Sequence, residues 1–476
     1  MKGPYLNIKS SLSILDWEVF VGILCLTCAS VVWGFIRYKH KYHSMSESVK
    51  LSEYLIMGRL LTLPLFIATL TSTWYGNIFG VTQIAFEQGY YNFVTQGIFW
   101  YVAYLLFAFL IARKIRRYQV LSLPQLIQRI FGYKSAKLSA ILILFKTLPI
   151  SYAISLGILI QLFFEITLLQ STILGVVFVS VYSFLGGFRA VVFSDAVQCL
   201  CMLVGLLSVI VFSYLTFGGL PFLREHLPDE HFSFTGNHSL STTLIWFFIA
   251  CSTTLINPTF YQRCFAAKTD NVAFYGILGS IVIWIIIDCC TTLGGMYAKA
   301  ILPDADPTNA YIIYSLQILP CGWRGLFLAG LVATILSTLD SFLLLSSSTL
   351  FYDLTLFKNY STKTKHMFAL IVTGTLTIMI AQYFEGNIEA MWLTIEGCFS
   401  ACLVFPMLTG HLFPRCITDT QFVISCLIGC FSYMFCRLLV PIYNLPIDDF
   451  YVGAFLTLLF ISCFACSNYL LVRVKL

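Results

Sequence analysis

The strongest constraint on this chain is its succession of apolar stretches, each about 17 to 25 residues long and separated by polar runs. Inside a bilayer every backbone N–H and C=O must be satisfied within the protein, so stretches of this kind fold as helices. Counting them gives about thirteen, near 15–37, 60–85, 93–113, 137–165, 170–186, 190–214, 242–263, 273–299, 321–352, 365–383, 387–410, 419–440 and 451–472. The composition of 59% hydrophobic and 11% charged residues, with a mean hydropathy of +0.86, agrees. The longest polar runs, 36–59, 113–137 and 218–241, are too short to bury a core of their own. The expected fold class is therefore an all-α polytopic membrane protein. The first stretch has acidic residues before it and no small-residue cleavage pattern after it, so it reads as a retained helix and not a signal peptide.

Charge placement orients the chain. Basic residues collect in alternate loops, around Arg37 to Arg59, Arg113 to Lys137, Arg263 to Lys268 and Lys358 to Lys365. By the positive-inside bias these loops face the cytoplasm, which sets the N-terminus outside and the C-terminus inside and requires an odd number of spans. The net charge of +6 is thus a topological signature and does not call for a nucleic-acid partner. The loop pattern suggests a cell membrane of the bacterial inner-membrane type. Most of the 17 cysteines fall within apolar spans. The pairs Cys25/Cys28 and Cys463/Cys466 have metal-site spacing but no neighbouring histidine, and read as small packing residues. No hydrolase, phosphate-loop or dinucleotide motif occurs, so an enzyme, a bound cofactor and an obligate protein partner are not expected.

Spans 2 to 6 and 7 to 11 form two consecutive sets of five, which must run in opposite senses, as in an inverted repeat. The domain reading is an extra helix with a basic loop at 1–59, five-helix repeats at 60–214 and 242–410, and two C-terminal helices at 411–476. Each repeat opens on an interrupted helix: Thr71-Ser72-Thr73-Trp74-Tyr75-Gly76-Asn77 with Gly80, and Ser252-Thr253-Thr254 with Asn257-Pro258. Broken helices free backbone groups, which a membrane tolerates where they line a site; the same small residues also permit close helix packing. Asp195, a little way inside an apolar span, is costly to bury without a function. A second polar cluster, Thr334, Ser337, Thr338, Asp340 and Ser341, lies inside the stretch from Gly325 to Tyr352.

Three segments carry a family resemblance: Gly186-Gly187 to Gln198, Ala329 to Ser341 continuing to Ser346-Ser347-Ser348 and Asp353, and Phe260-Tyr261-Gln262-Arg263 to Lys268. Together with the span layout they resemble the sodium:solute symporter family. The resemblance implies a sodium site made by the backbone carbonyls of Thr71, Trp74 and Thr334 and the hydroxyls of Ser337 and Thr338. Neutral oxygens of this kind suit a hard cation. Ser337, Asp340 and Ser341 share one helical face and, with Asp195, outline a second cation site or a proton-sharing pair, because adjacent carboxylates repel without a cation or proton between them. A plainer reading has Asp340 capped by neighbouring serine hydroxyls.

Lys146 stands within a span and needs an anionic partner: either the carboxylate of a substrate, with Thr73, Tyr75 and Asn77 adding polar contacts, or Asp195, Asp288 or Glu396 permanently. Glu389 and Glu396 lie nearly on one face of their span. Buried acids with Trp74 and Tyr75 also keep a choline-like cation open as substrate. The expected function is sodium-driven import, by alternating access, of a small polar organic solute, with a carboxylate such as pantothenate, an amino acid such as proline, or an organic acid in first place. Proton coupling through Asp195 and Asp340, or a solute sensor that does not transport, are the competing readings. The implied partners are sodium, the solute and the lipid bilayer.

Overall fold

The computed structural model describes residues 12–42, 46–164, 166–355, 360–384, 388–413, 416–443 and 449–474. The side chains of Glu389 and Glu396, and residues Lys2, Lys9, Lys358, Arg415 and Lys475, lie outside the described residues. In chain order the helices are α1 (Ile14–Tyr42), α2 (Glu47–Ile56), α3 (Leu63–Ser72), α4 (Ile78–Gln88), α5 (Phe93–Arg117), α6 (Leu123–Ile130), α7 (Tyr133–Lys146), α8 (Ile150–Phe164) and α9 (Leu168–Phe217). They continue as α10 (Leu220–His226), α11 (Leu240–Leu255), α12 (Pro258–Ala266), α13 (Asp270–Ile301), α14 (Pro307–Ile318), α15 (Trp323–Ser348), α16 (Thr362–Tyr383), α17 (Ile388–Leu412), α18 (Asp419–Tyr443) and α19 (Asp449–Val474). Among the described residues nine helices are long and apolar enough to cross a membrane, with Leu63–Ser72, Leu168–Phe184 and Gly397–Leu412 as shorter apolar helices.

Two of the expected spans are interrupted where the sequence placed their breaks, and a third holds a turn that its hydropathy did not show. The stretch 60–85 is α3 and α4 with Thr73–Asn77 unwound between them, and 242–263 is α11 and α12 parted at Ile256–Asn257. Both interruptions follow from the local sequence. At the second, Asn257 Oδ1 accepts from the Thr259 amide at 3.0 Å and Pro258 takes the first helical position, where its missing N–H costs nothing. The stretch 137–165, expected as one helix, is α7 and α8 joined by a turn at Thr147–Pro149. Spans 170–186 and 190–214 are the two segments of α9, Leu168–Phe184 and Gly186–Phe217, which meet at a kink at Gly187, whose φ is 57°. Only glycine fits there, because a Cβ would come within 2.7 Å of the Tyr54 ring and 2.8 Å of its carbonyl. Beside the kink, Arg189 pairs with Glu53 of α2 at 2.5 Å.

Burial separates core from periphery. The most apolar window of α15 is 94% buried, against 17% for α1 and 28% for each of α18 and α19. Helix α15 lies along α9, which also packs on α1 and α3, while α13 covers α3 and α4. Helices α17, α18 and α19 pack on one another, and α18 leaves Leu427, Phe431, Phe435 and Leu438 exposed. An apolar outer face of this kind suits lipid contact. The polar residues of α15 are therefore held in the middle of the protein against the unwound segment between α3 and α4.

Candidate functional site

At the end of α3 the last carbonyls accept from side chains as well as from the amides of Thr73 and Trp74. The Thr69 carbonyl accepts from Thr73 Oγ1 at 2.6 Å, and the Thr71 carbonyl accepts from Trp284 Nε1 at 3.3 Å. The Ser72 carbonyl accepts from Ser337 Oγ at 2.7 Å and Thr338 Oγ1 at 3.5 Å. Those two hydroxyls reach the Thr334 carbonyl as well, at 3.2 and 3.0 Å. Four neutral oxygens from two helices thus converge, on residues that are all buried. Close approach of the unwound backbone requires Gly76, where a Cβ would lie 2.6 Å from the Tyr152 ring and 2.7 Å from Thr338 Cβ.

This geometry brings together Thr334, Ser337 and Thr338, three of the five residues expected around sodium. The Thr71 carbonyl accepts from the Trp284 indole and the Trp74 amide, and the carbonyl that meets Ser337 and Thr338 is that of Ser72. Trp74 directs its indole toward an aromatic group, with ring centroids 5.2 Å from Trp100, 5.8 Å from Tyr104 and 5.7 Å from Phe260.

A second buried cluster adjoins the first. Arg263, placed by its sequence context in a cytoplasmic loop, is fully buried, and its Nη2 lies 3.7 Å from Asp195 Oδ2. The same nitrogen donates to Thr73 Oγ1 at 2.7 Å, Ser341 Oγ at 2.8 Å and Thr69 Oγ1 at 3.2 Å. Thr69 donates to Asp195, and Tyr182 donates to Asp340 Oδ2 at 3.0 Å. Asp340 stands next in sequence to Ser341, whose hydroxyl meets the same guanidinium. Asp195 Oδ1 and Asp340 Oδ1 are buried without a hydrogen-bond partner among the described residues.

Of the four residues expected at a second cation site, Asp195, Asp340 and Ser341 gather around Arg263, while Ser337 faces the Ser72 carbonyl. Asp340 is bonded by Tyr182, in place of the serine capping considered from the sequence. The sequence signal that could have found Arg263 is its position in Phe260-Tyr261-Gln262-Arg263, directly after an interrupted membrane helix. A membrane-embedded arginine with no lipid-facing route needs carboxylate and hydroxyl partners of this kind.

On the other side of the unwound segment lies a cavity of about 490 Å3. Among the expected substrate contacts, Tyr75 and Asn77 line it, as does Trp74. Thr73 does not: its hydroxyl is engaged by Arg263 and by the Thr69 carbonyl. Lys146 is buried at the end of α7 and is not among the described residues that line the cavity. Asp288 of α13 does line it, together with Trp100, Tyr101, Tyr152 and Asn257.

The sequence profile of the sodium:solute symporter family matches residues 54–428. Relatives include the sodium/pantothenate symporter of Haemophilus influenzae, 26% identical over 48% of this chain and 53% of that protein. The sodium/myo-inositol cotransporter 2 of Oryctolagus cuniculus is 27% identical over 49% of this chain and 41% of that protein. The sodium-coupled monocarboxylate transporter 2 of Homo sapiens is 23% identical over 84% of this chain and 69% of that protein. The chain spans about half the length of the first two. Its fold is similar to a solved structure of a Na+-coupled sialic acid symporter in a substrate-bound outward-open state, with a TM-score of 0.75 at 12% identity over 95% of this chain and 98% of that one. These relatives are transporters and not enzymes. The chain belongs to the sodium:solute symporter family.

Proposed function

We propose that this protein is a secondary active transporter that uses the sodium gradient to import a small organic solute by alternating access. The observation that carries the reading is the convergence of the Ser72 and Thr334 carbonyls with the Ser337 and Thr338 hydroxyls at a break in a membrane helix. Such a set binds a hard monovalent cation without a full carboxylate, so release stays easy. It bridges the first repeat to α15, so an ion bound there favours one arrangement of the two over the other. The solute would occupy the adjoining cavity. Linkage then makes sodium raise solute affinity and the solute raise sodium affinity by the same factor. An ion carried down the membrane potential adds about 2.3 kcal/mol per elementary charge per 100 mV.

A carboxylate-bearing solute held by Lys146 has less support, since Lys146 is not part of the cavity lining. The test is thermal unfolding of the purified full chain in sodium and in potassium, followed by solute flux in proteoliposomes. Stabilisation by sodium, lost in Ser337→Ala, together with sodium-dependent flux is the expected result. Sodium indifference with flux driven by a pH gradient would replace sodium with proton coupling at Asp195 and Asp340. Solute binding without flux would make the protein a sensor.

A further inference from the structure

The cavity beside the unwound segment has a one-sided charge. Among its described lining residues the acidic side chains are Glu87 and Asp288, with His238 as the lone imidazole and no lysine or arginine. Glu87 is exposed and solvated. Asp288 is different: it sits in the middle of α13 with 3% of its surface accessible. Its carboxylate accepts from Tyr101 OH. A π-helical turn at Phe93–Ile98 precedes Tyr101, and Gly97 in that turn leaves an approach where a Cβ would stand 3.5 Å from Asp288 Oδ2. Local widening of this kind, in a helix that presents a hydroxyl to a buried acid, is a frequent mark of a functional site.

A carboxylate in a membrane interior is costly unless a counter-charge accompanies it. One phenol donor satisfies part of the carboxylate and supplies no positive charge. The surrounding surface is aromatic: Trp74 meets Trp100 at 71° and Tyr104 at 85°, so ring faces and edges alternate around the cavity. Ring faces attract cations by their quadrupole, most strongly when desolvated. A cation at the cavity favours the ionised form of Asp288, whereas an anionic solute would be repelled by that form. A neutral polyol would take a hydrogen bond and leave the charge uncompensated.

We propose that the transported solute carries a cationic nitrogen, with Asp288 as its counter-ion, Tyr101 holding the carboxylate in place, and Trp74 and Trp100 supplying ring faces. The proposal rests on the transporter reading above and names the substrate class of that cavity.

The experiment uses the full chain in lipid nanodiscs, with thermal stabilisation in sodium as the readout. The probes are choline, ethanolamine, the uncharged choline isostere 3,3-dimethylbutan-1-ol, myo-inositol and pantothenate. The expected result is stabilisation by at least one of the two ammonium probes, with choline binding at least about tenfold more tightly than its isostere. Asp288→Asn is expected to remove the preference and to retain stabilisation by sodium alone. Should Asp288→Asn fail to fold, the isostere comparison on the unaltered protein decides, and Tyr101→Phe is expected to weaken the ammonium preference. Equal binding of choline and its isostere, stabilisation by myo-inositol or pantothenate only, or no response to any probe would overturn the proposal. Sodium stabilisation without a probe is read separately, so its loss in the unaltered protein counts against the transporter reading and not against the assignment of Asp288.

Discussion

Arg263 Nη2 stands 3.7 Å from Asp195 Oδ2, with both side chains wholly removed from solvent. The arginine comes from α12, the aspartate from α9, and the remaining contacts of the same nitrogen reach α3, Ser341 of α15 and the unwound segment at Thr73. One guanidinium therefore ties the broken helix of the first repeat to that of the second. Arg263→Gln leaves two buried carboxylates uncompensated and is expected to destabilise the protein by roughly 3–5 kcal/mol. Adding Asp195→Asn to the same chain is expected to restore part of the loss. Thermal unfolding of the single and double variants measures both, and an Arg263→Gln protein as stable as the parent would contradict the assignment.

Gly76 lets the unwound backbone lie against α15. In Gly76→Ala the new methyl meets Tyr152 and Thr338 at distances that force one of them to move. The expected outcome is sodium affinity lowered by about tenfold or more, the equivalent of about 1.4 kcal/mol, with the helix content retained by circular dichroism. Unchanged sodium titration in this variant would show that the carbonyl at Ser72 does not take part.

His231 supplies a pH dependence outside the membrane. It lies in the turn Asp229–Phe232, where its Nε2 meets the Phe86 carbonyl at 3.1 Å and its own carbonyl accepts from the Tyr90 amide at 2.7 Å. Burial, as the largest cause, holds the imidazole below its usual value of 6.5, against the opposing effect of the Phe86 carbonyl. The folded loop thus binds fewer protons than the unfolded one. Its docking is fully stable above pH 6.5 and weakens as the pH falls below that value toward the depressed folded one. Hydrogen exchange of 227–239 is expected to speed up between pH 7.5 and pH 5.5 beyond the change in intrinsic rate. In His231→Gln that excess is expected to vanish.

The helical breaks at Thr71–Asn77 and Asn257–Pro258 were legible because their causes are local: glycine, proline and short hydroxyl side chains compete with the helix over a few residues. Thr334, Ser337 and Thr338 stood out as a polar cluster in an apolar stretch, and their joint role was implied by the family resemblance. What escaped the sequence depends on tertiary contacts. That the carbonyl meeting Ser337 and Thr338 is Ser72's is a single-residue register set by tertiary contacts, among them the Trp284 indole on the Thr71 carbonyl. Arg263 is drawn inward by partners on three other helices, none nearer than 68 positions in sequence. Lys146 lies at the end of a short helix because the chain turns at Thr147–Pro149, a break that the hydropathy of 137–165 conceals.

Sodium is expected to bind where Ser337 and Thr338 meet the Ser72 and Thr334 carbonyls. Equilibrium binding of radioactive sodium to the purified protein, in the parent chain and in Ser337→Ala, tests it most directly. The expected result is saturable binding that potassium does not displace and that weakens by about tenfold or more when the hydroxyl is removed. Sodium binding of equal affinity in the two proteins, or none in the parent, would contradict it.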